Sequence, residues 1–198
     1  SPREPKRRIC RKALTADWGF SCLVEAHGRK FLFDTGAKTS VLAANMKTLD
    51  INPLHADAVF ISHDHWDHTG GISILPENQS PPIFVPASFN NTHILRQKEN
   101  HVIRCQKAAK ISEGFFTTGE LINHEHSLAV RRRDNTLAVI AGCAHPGVRE
   151  ILSAASAFGA VSALIGGLHN FDEFDLLKGL KLICPTHCTR HIKDIAEQ

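Results

Sequence analysis

The stretch SHDHWDHTGG, residues 62–71, crowds three histidines and two aspartates into six positions directly after an apolar run. The run predicts a buried strand, and alternate side chains of an extended chain point the same way, so His63 and His65 can converge on one ion. Asp67 and His68 lie further along and are carried towards a second ion. Because imidazole and carboxylate groups suit zinc, iron and manganese, this HxHxDH spacing predicts a metal site.

Two neighbouring ions need about six to eight ligand groups, and the HxHxDH stretch supplies four of them. Further ligands are expected at other strand ends. His145 and His187 each follow a predicted strand and lie beside small residues that allow a loop to approach closely. A lone histidine is more often a surface or hydrogen-bonded core residue. That interpretation is kept for the histidines without such a setting: His27, His55, His93, His101 and His191.

The composition is that of an ordinary globular protein, with 42% hydrophobic and 22% charged residues in a chain of 198. This length predicts one domain with a core of its own. No apolar run approaches the roughly 18 residues that span a bilayer, and the N-terminal region has no apolar core of the signal-peptide type. We therefore expect a soluble, cytoplasmic protein, whose six cysteines lack a CxxC pair and remain reduced thiols.

Positive charge is concentrated at the N-terminus. The net charge is +3, but residues 1–12 contain six basic residues and one acidic residue, which leaves −2 for the rest of the chain. We predict a basic tail over residues 1–14 and a folded domain over residues 15–198. The tail is interpreted as a solvated segment or the end of a linker, with an arm that binds nucleic acid or another anion as the alternative.

Apolar runs and turn signals predict alternating strands, polar loops and helices. Strands are predicted at residues 20–26, 30–34, 57–62, 83–85, 128–133, 136–141, 161–165 and 181–184. Helices are predicted at residues 39–49 with Thr39 as the N-cap, from 146 to about 158, at 172–180 and at the C-terminus, with one more helix and one or two irregular strands in 87–125. This alternation predicts α/β layers, whose active sites gather beyond the strand ends.

The segments GFSCLVE, FDTG, SHDHWDHTGG, GCAHPG, GGLH and PTHCT together resemble the metallo-β-lactamase fold superfamily. Within it they look most like the subgroup of metal-dependent hydrolases related to 7,8-dihydropterin-6-methyl-4-(β-D-ribofuranosyl)aminobenzene-5′-phosphate synthase. The resemblance covers about residues 17–198. It implies an α/β (α+β) protein built as a four-layer αββα sandwich, with the metals at one edge of its two sheets.

The resemblance also implies which residues bind which ion. One ion is assigned to His63, His65 and His145, and the other to Asp67, His68 and His187. Asp34, which ends the predicted strand in FDTG, is expected to accept a hydrogen bond that orients a ligand or loop. A simple turn residue at the strand end is an equal alternative for Asp34.

The chain departs from the superfamily pattern in two places. The aspartate that bridges both metals in most hydrolases of the superfamily is absent from Ile165–His169, IGGLH. We expect His169 to serve as an acid or substrate contact, with a replacement ligand or an ordinary loop histidine as alternatives. Residues 1–15 contain Pro2 and Pro5, so the opening strand of the fold is expected to be missing or altered, and the edge left exposed would favour pairing of two copies.

The resemblance implies a dinuclear hydrolase that uses a metal-bound hydroxide on a phosphoester or pterin-type small molecule. The expected cofactors are two divalent ions, zinc in first place and manganese or iron as alternatives. Asp67 is assigned a catalytic role as ligand and hydroxide orienter, and His169 is assigned that of proton donor. Arg190 and Cys143 are predicted to contact substrate, and a soft metal ligand is an alternative for Cys143 or Cys188. A solvated Arg190 and small buried cysteines are the simpler interpretations.

Two other functions compete with the hydrolase. The first is a nuclease of the same fold that uses the basic tail as an arm, although the remaining chain, at −2, is not basic. The second is a metal-binding protein that has lost catalysis and acts through protein contacts. The six candidate ligands favour an enzyme, whereas the missing aspartate favours the second alternative. No membrane partner is expected.

Overall fold

The computed structural model describes residues 14–76 and 80–197. The strands are Cys22–Ala26 (β1), Arg29–Phe33 (β2), Ala58–Phe60 (β3), Ile83–Pro86 (β4), Val102–Cys105 (β5), Ala109–Ser112 (β6), Phe115–Thr117 (β7), Leu128–Arg131 (β8), Leu137–Ala141 (β9), Val161–Gly167 (β10) and Leu182–Thr186 (β11). The α-helices are Thr39–Leu49 (α1), Trp66–Thr69 (α2), Thr92–Lys98 (α3), Val148–Ser156 (α4) and Ile192–Ala196 (α5).

The strands form two sheets. The first has the order β1-β2-β3-β4-β5, in which only β1 and β2 pair antiparallel and the others run parallel. The second has the order β11-β10-β9-β8-β7-β6, with β9, β10 and β11 parallel and the pairs from β6 to β9 antiparallel. Each sheet therefore has a parallel part, whose strands all end at the same edge.

Alternation along the strands divides the apolar side chains between two faces, as the two-residue period of a strand requires. In β2, Phe31 and Phe33 enter the core between the two sheets, whereas Leu32 faces the outer core of the first sheet. Phe60 and Val59 divide in the same way in β3. Each of these side chains is at most 2% exposed, so both faces of the first sheet are covered.

Helices cover the outer face of each sheet. Met46 of α1 and Ile94 of α3 pack with Leu32 on the first sheet. Ile151 of α4 and Ile195 of α5 lie in the corresponding cluster outside the second sheet. Helix, sheet, sheet and helix therefore form four layers, and the predicted αββα sandwich is confirmed.

Three local predictions differ from the structure. Thr39 is the first residue of α1 and not its cap, because Lys38 holds the cap position and the Thr39 hydroxyl donates to Gly70 O at 3.2 Å. The helix predicted at 172–180 is only a short 3₁₀ turn, Phe174–Leu177. Residues 87–125 contain three strands, β5 to β7, besides α3.

The N-terminal predictions lie mostly outside the described residues, since the basic tail and the altered opening strand fall almost entirely within residues 1–13. In the described part of the chain, β1 is the edge strand of the first sheet. Between residues 14 and 197, apart from the gap at 77–79, no helix is long and apolar enough to cross a membrane.

Candidate metal centre

The polar loops that follow β3, β9 and β11 meet at one edge of the sandwich. The parallel arrangement within each sheet puts the carboxyl ends of these strands together, as expected for a site at strand ends. Nitrogen atoms of His63, His65 and His145 lie within 4.8 Å of one another. The structure therefore brings together the loops after β3 and β9, in which His65 and His145 are separated by 80 positions in the chain.

A second group lies beside the first. Ligand atoms of Asp67, His68 and His187 also lie within 4.8 Å of one another. The His68 ring centroid is 4.2 Å from that of His63 in the first group, so the two groups are adjacent. All six predicted ligands are thus gathered into two neighbouring sets of three.

One ring nitrogen of His187 is a candidate metal ligand. Its Nε2 is buried and makes no hydrogen bond to any described residue, although it lies 3.2 Å from Asp67 Oδ2. The geometry between these two atoms is not that of a hydrogen bond. A buried polar atom without a partner costs free energy unless something else binds it, so this geometry fits a cation between the two side chains.

The loop 62–71 is packed tightly against the loop after β2. A Cβ added to Gly70 would lie 2.1 Å from Ala37 O, and one added to Gly71 would lie 2.1 Å from Thr35 O. Thr35 N–H also donates to His68 O at 2.8 Å. Glycine is therefore required for the backbones to approach this closely, and the contact holds the short helix α2 in place.

Asp34 connects this loop to the end of β2. It is fully buried and accepts hydrogen bonds from Ser62 N at 2.7 Å, from Ser62 Oγ at 2.8 Å and from His68 Nδ1 at 2.6 Å. Burial raises the pKa of Asp34. Burial alone would lower the pKa of His68, but the neighbouring Asp34 outweighs it and raises this pKa, so a proton is held between the two groups. His68 Nε2 is then the nitrogen that faces the site.

Glu125 was not singled out in the sequence, yet it organises the loop after β9. Its Oε1 accepts the backbone N–H groups of Gly142, Cys143 and Ala144 at 3.0–3.1 Å. Its Oε2 accepts the backbone N–H of His145 at 3.0 Å and lies 2.9 Å from His145 Nδ1. Burial would raise the pKa of this carboxyl, but the hydrogen bonds, led by that of His145, lower it to about 2.

Burial favours the neutral form of two of the three histidines in the first group. Burial lowers the pKa of His63 to about 2 and lowers that of His65 as well. The hydrogen bond to Glu125 raises the pKa of His145. It also occupies Nδ1 and leaves Nε2 of His145 free. Neutral imidazole with one nitrogen held by a carboxylate is the form in which histidine binds metals.

Strained backbone accumulates at this edge. Asp34, Ala144, His169 and His187 all have φ between 48° and 54°, in the left-handed region. This conformation costs an ordinary residue about 1–2 kcal/mol. The tertiary contacts of the loops must offset that cost, and such strain is typical of sites where side-chain direction matters.

Two thiols lie next to the second group. Cys143 is 4% exposed, and its Sγ is 3.2 Å from His68 Nε2. The Cys188 thiol contacts Cys143 O at 3.9 Å. A hydrogen bond between the two thiols lowers the pKa of Cys188 to about 5 and raises that of Cys143. The five cysteines of the described residues are free.

A cavity of about 570 Å³ opens beside the first group. Its lining includes His65, His145 and His169, and the exposed His169 ring lies 5.2 Å from that of His145. Arg190 and Cys143 do not line this cavity. The Arg190 side chain is exposed, and its backbone N–H donates to His169 O at 2.9 Å. Their predicted contacts with substrate stay predictions.

The αββα fold, together with histidine and aspartate groups at the strand ends, defines the class of protein. A family model described as the metallo-beta-lactamase superfamily matches residues 16–126, which is more than half of the chain. The chain therefore belongs to the metallo-β-lactamase superfamily, most of whose members are hydrolytic enzymes that bind divalent metals.

Two sequence relatives and one solved structure are similar to this chain. The 7,8-dihydropterin-6-methyl-4-(beta-D-ribofuranosyl)-aminobenzene-5′-phosphate synthase of Methanocaldococcus jannaschii is 27% identical, over 86% of this chain and 80% of the relative. The subgroup predicted from the sequence motifs is thereby confirmed. An uncharacterized protein of the same organism is 22% identical, over 90% of this chain and 86% of its own length. The metallo-β-lactamase MIM-1 from Novosphingobium pentaromativorans shares the fold, with a TM-score of 0.51 at 16% identity over 89% of this chain and 81% of that chain.

The residues at the sheet edge fit the divalent ions that the superfamily implies. Each group of three provides nitrogen or carboxylate oxygen ligands within 4.8 Å of one another. The buried His187 Nε2 lacks a hydrogen bond to any residue in 14–76 or 80–197, which leaves it available to an ion. Carboxylates hold the far nitrogens of His68 and His145, as is usual for histidines that bind metals.

Proposed function

We propose that this protein is a dinuclear metal-dependent hydrolase that acts on a small molecule of the phosphoester or pterin type. The observation that carries the proposal is the unpartnered His187 Nε2 beside Asp67 Oδ2, within a group of three ligands that adjoins a second group of three. One ion is assigned to His63, His65 and His145. The other is assigned to Asp67, His68 and His187.

Divalent ions at these groups would polarise a phosphoryl or carbonyl oxygen and lower the pKa of a water molecule. Zinc suits the nitrogen-rich first group best, with manganese or iron as the alternatives. The protein holds the ligands in place through Asp34 and Glu125, whose hydrogen bonds set the tautomers of His68 and His145. Asp67 acts as a ligand and as the acceptor that orients the attacking water.

The cavity beside the first group is the substrate site. At about 570 Å³ it is within the range of pockets that bind small molecules. Phe171, Asp172 and Glu173 lie in its lining, so an apolar side chain and acidic side chains occur together. A carboxylate is complementary to the amide and amino hydrogens of a pterin ring, and the relative named a dihydropterin phosphate synthase supports this substrate class.

His169 supplies the proton to the leaving group. Its ring is exposed to the cavity, 5.2 Å from the His145 ring, and the left-handed backbone of the residue turns it out of the sheet. An imidazole is suited to proton transfer near neutral pH. The phosphate or carbonyl end of the substrate therefore lies between the metal groups and His169.

The lining of the cavity favours this function over a nuclease. Within the described residues that form its walls, no lysine or arginine occurs, whereas Asp172 and Glu173 do. A nucleic acid backbone is bound chiefly through lysine and arginine, and acidic walls would repel it. The described walls of this cavity therefore lack the basic side chains that a nuclease would use to bind its substrate.

Metal analysis and a substrate screen test the proposal. We expect one to two zinc, manganese or iron ions per chain, and metal-dependent turnover of bis(p-nitrophenyl) phosphate or of a pterin phosphodiester. His63→Ala and Asp67→Asn should each abolish most of this turnover. His55→Ala is the matched control, because His55 is exposed and its ring contacts Asn52, outside the candidate site.

The alternatives give different results in the same screen. Faster cleavage of single-stranded RNA than of the small phosphodiesters would favour the nuclease. Bound metal without turnover of any of these substrates would favour a protein that has lost catalysis. Absence of bound metal, with His63→Ala as stable as the wild type in the presence of zinc, would refute the metal assignment.

A further inference from the structure

The strand end from which the bridging aspartate is absent has no room for a side chain. A Cβ built on Gly167 would lie 2.4 Å from Gly142 O and 2.8 Å from Cys188 Sγ, so no side chain fits at this position of β10. It would also lie 3.2 Å from the Cα of Cys143. The loops that carry Cys143 and Cys188 therefore fill the space that a side chain from this strand end would occupy, and the sulfur nearest to it is that of Cys188.

Cys143 Sγ lies between the two ligand groups. It is within 4.8 Å of the ligand atoms of His63, from the first group, and of His68, from the second. It is also within 4.8 Å of the ligand atoms of His187 and Cys188. Cys143 thus belongs to one set that spans both groups and to another that includes His187, whereas Cys188 belongs only to the latter.

The surroundings of Cys143 direct its sulfur at a ligand nitrogen. His68 Nδ1 is held by Asp34 at 2.6 Å, so the lone pair of His68 Nε2 faces Cys143 Sγ at 3.2 Å. The backbone N–H of Cys143 donates to Glu125 at 3.0 Å, which fixes the backbone of this residue. A thiolate next to histidine nitrogens is a common ligand environment for zinc and other divalent ions.

We propose that Cys143 is a sulfur ligand of the metal centre, because its Sγ lies close to ligand atoms of both groups. The inference rests on the proposed dinuclear site. Binding of an ion by this sulfur would require the Cys143 thiol to release its proton to solvent. No oxidation or reduction is involved.

Cys188 has a different role and provides a near control. Its thiol contacts Cys143 O at 3.9 Å and hydrogen-bonds with the Cys143 thiol and with His169, and its sulfur is grouped with ligand atoms of the second group alone. Cys105 provides a remote control, because it is buried in the core between the sheets. Replacing either cysteine leaves the sulfur at position 143 in place.

Cobalt substitution tests the inference without reference to activity. The full chain is reduced, stripped with a chelator and titrated with Co²⁺ while its absorption spectrum is recorded. Visible d–d bands report cobalt bound by any ligands, and a near-ultraviolet thiolate-to-cobalt charge-transfer band reports a Co–S bond. We expect both in the wild type, in Cys188→Ser and in Cys105→Ser, and we expect Cys143→Ser to lose the charge-transfer band.

Cys143→Asp is a control for a folding defect, because its carboxylate can occupy the place of the Cys143 thiol and bind an ion. This variant should bind as many cobalt ions as the wild type and lack only the charge-transfer band. A wild-type spectrum with d–d bands and no charge-transfer band would overturn the sulfur ligand and leave the proposed hydrolase intact. A charge-transfer band that is lost in Cys188→Ser but kept in Cys143→Ser would also overturn the assignment of the sulfur ligand to Cys143. No d–d bands at all would refute the metal site and this inference together.

Discussion

Replacing Glu125 by glutamine separates two effects of this buried carboxylate. One is the stabilisation of the loop after β9, and the other is the orientation of the His145 ring. Oε1 accepts three backbone N–H groups, and Oε2 accepts the backbone N–H of His145 and faces its Nδ1. A glutamine that keeps its oxygen at the Oε1 position retains the three bonds. Its NH₂ group then faces two donors of His145.

These two donors respond differently. The backbone N–H of His145 cannot change and becomes a buried donor without an acceptor, which costs about 1–3 kcal/mol. The ring can change its tautomer, so that Nδ1 accepts from the glutamine NH₂ and the hydrogen moves to Nε2. Nε2 then carries a proton and no longer binds an ion. We expect the free energy of unfolding without metal to fall by about 2 kcal/mol, and zinc affinity to fall roughly 10–100-fold.

Two measurements check these effects separately. Urea unfolding of the chelator-treated protein gives the stability change, and calorimetric titration with zinc gives the affinity. Glu113→Gln is the control, because this carboxylate is 77% exposed and its loss should change stability by less than about 0.5 kcal/mol. Wild-type stability in Glu125→Gln would refute the role of the carboxylate. Reduced stability with unchanged zinc affinity would refute the tautomer argument alone.

Three further predictions concern stability. Burial lowers the pKa of His126 from 6.5 to about 4. The free energy of unfolding should therefore be highest above pH 6.5 and fall by up to about 3 kcal/mol towards pH 4. Urea midpoints measured across this range should depend less on pH in His126→Gln than in the wild type. Gly166→Ala should lower the free energy of unfolding by about 4 kcal/mol or more in urea, because its Cβ would lie 1.9 Å from Ala141 O at a φ of +119°. Gly179→Ala is the control and should lower it by about 1 kcal/mol or less, because its Cβ would meet nothing within 4 Å. Similar losses of stability in the two variants would contradict the packing argument. Zinc at about 100 times its dissociation constant should stabilise the stripped protein by about 2.7 kcal/mol in the same assay, and a full gain in His63→Ala would count against the ligand assignment.

The layers of the fold were predictable because strand periodicity is a local property. Phe31 and Phe33 alternate with Leu32, and this pattern alone requires a strand covered on both faces. The ends of the elements were less predictable. Thr39 has the side chain of a helix cap, but the cross-loop hydrogen bond to Gly70 O decides its position.

Glu125 shows why one part of the candidate site could not be predicted. It stands in an irregular segment between β7 and β8, with histidines on both sides and no periodic signal. Its partners lie 17 to 20 residues away, in the loop after β9. Only the pairing of β8 with β9 brings the carboxylate beneath that loop.

The sequence by itself predicted four candidate ligands, because a buried strand followed by HxHxDH constrains side-chain direction over a few residues. Its resemblance to the superfamily indicated the family and added His145 and His187. The tertiary structure alone decided how these ligands are held and what lies between them. The left-handed turns at His169 and His187, the Glu125 carboxylate under His145 and the Cys143 sulfur beside His68 all depend on contacts between strands distant in sequence. Spacing along the chain carries no information about such contacts, since they arise only when the two sheets pack together.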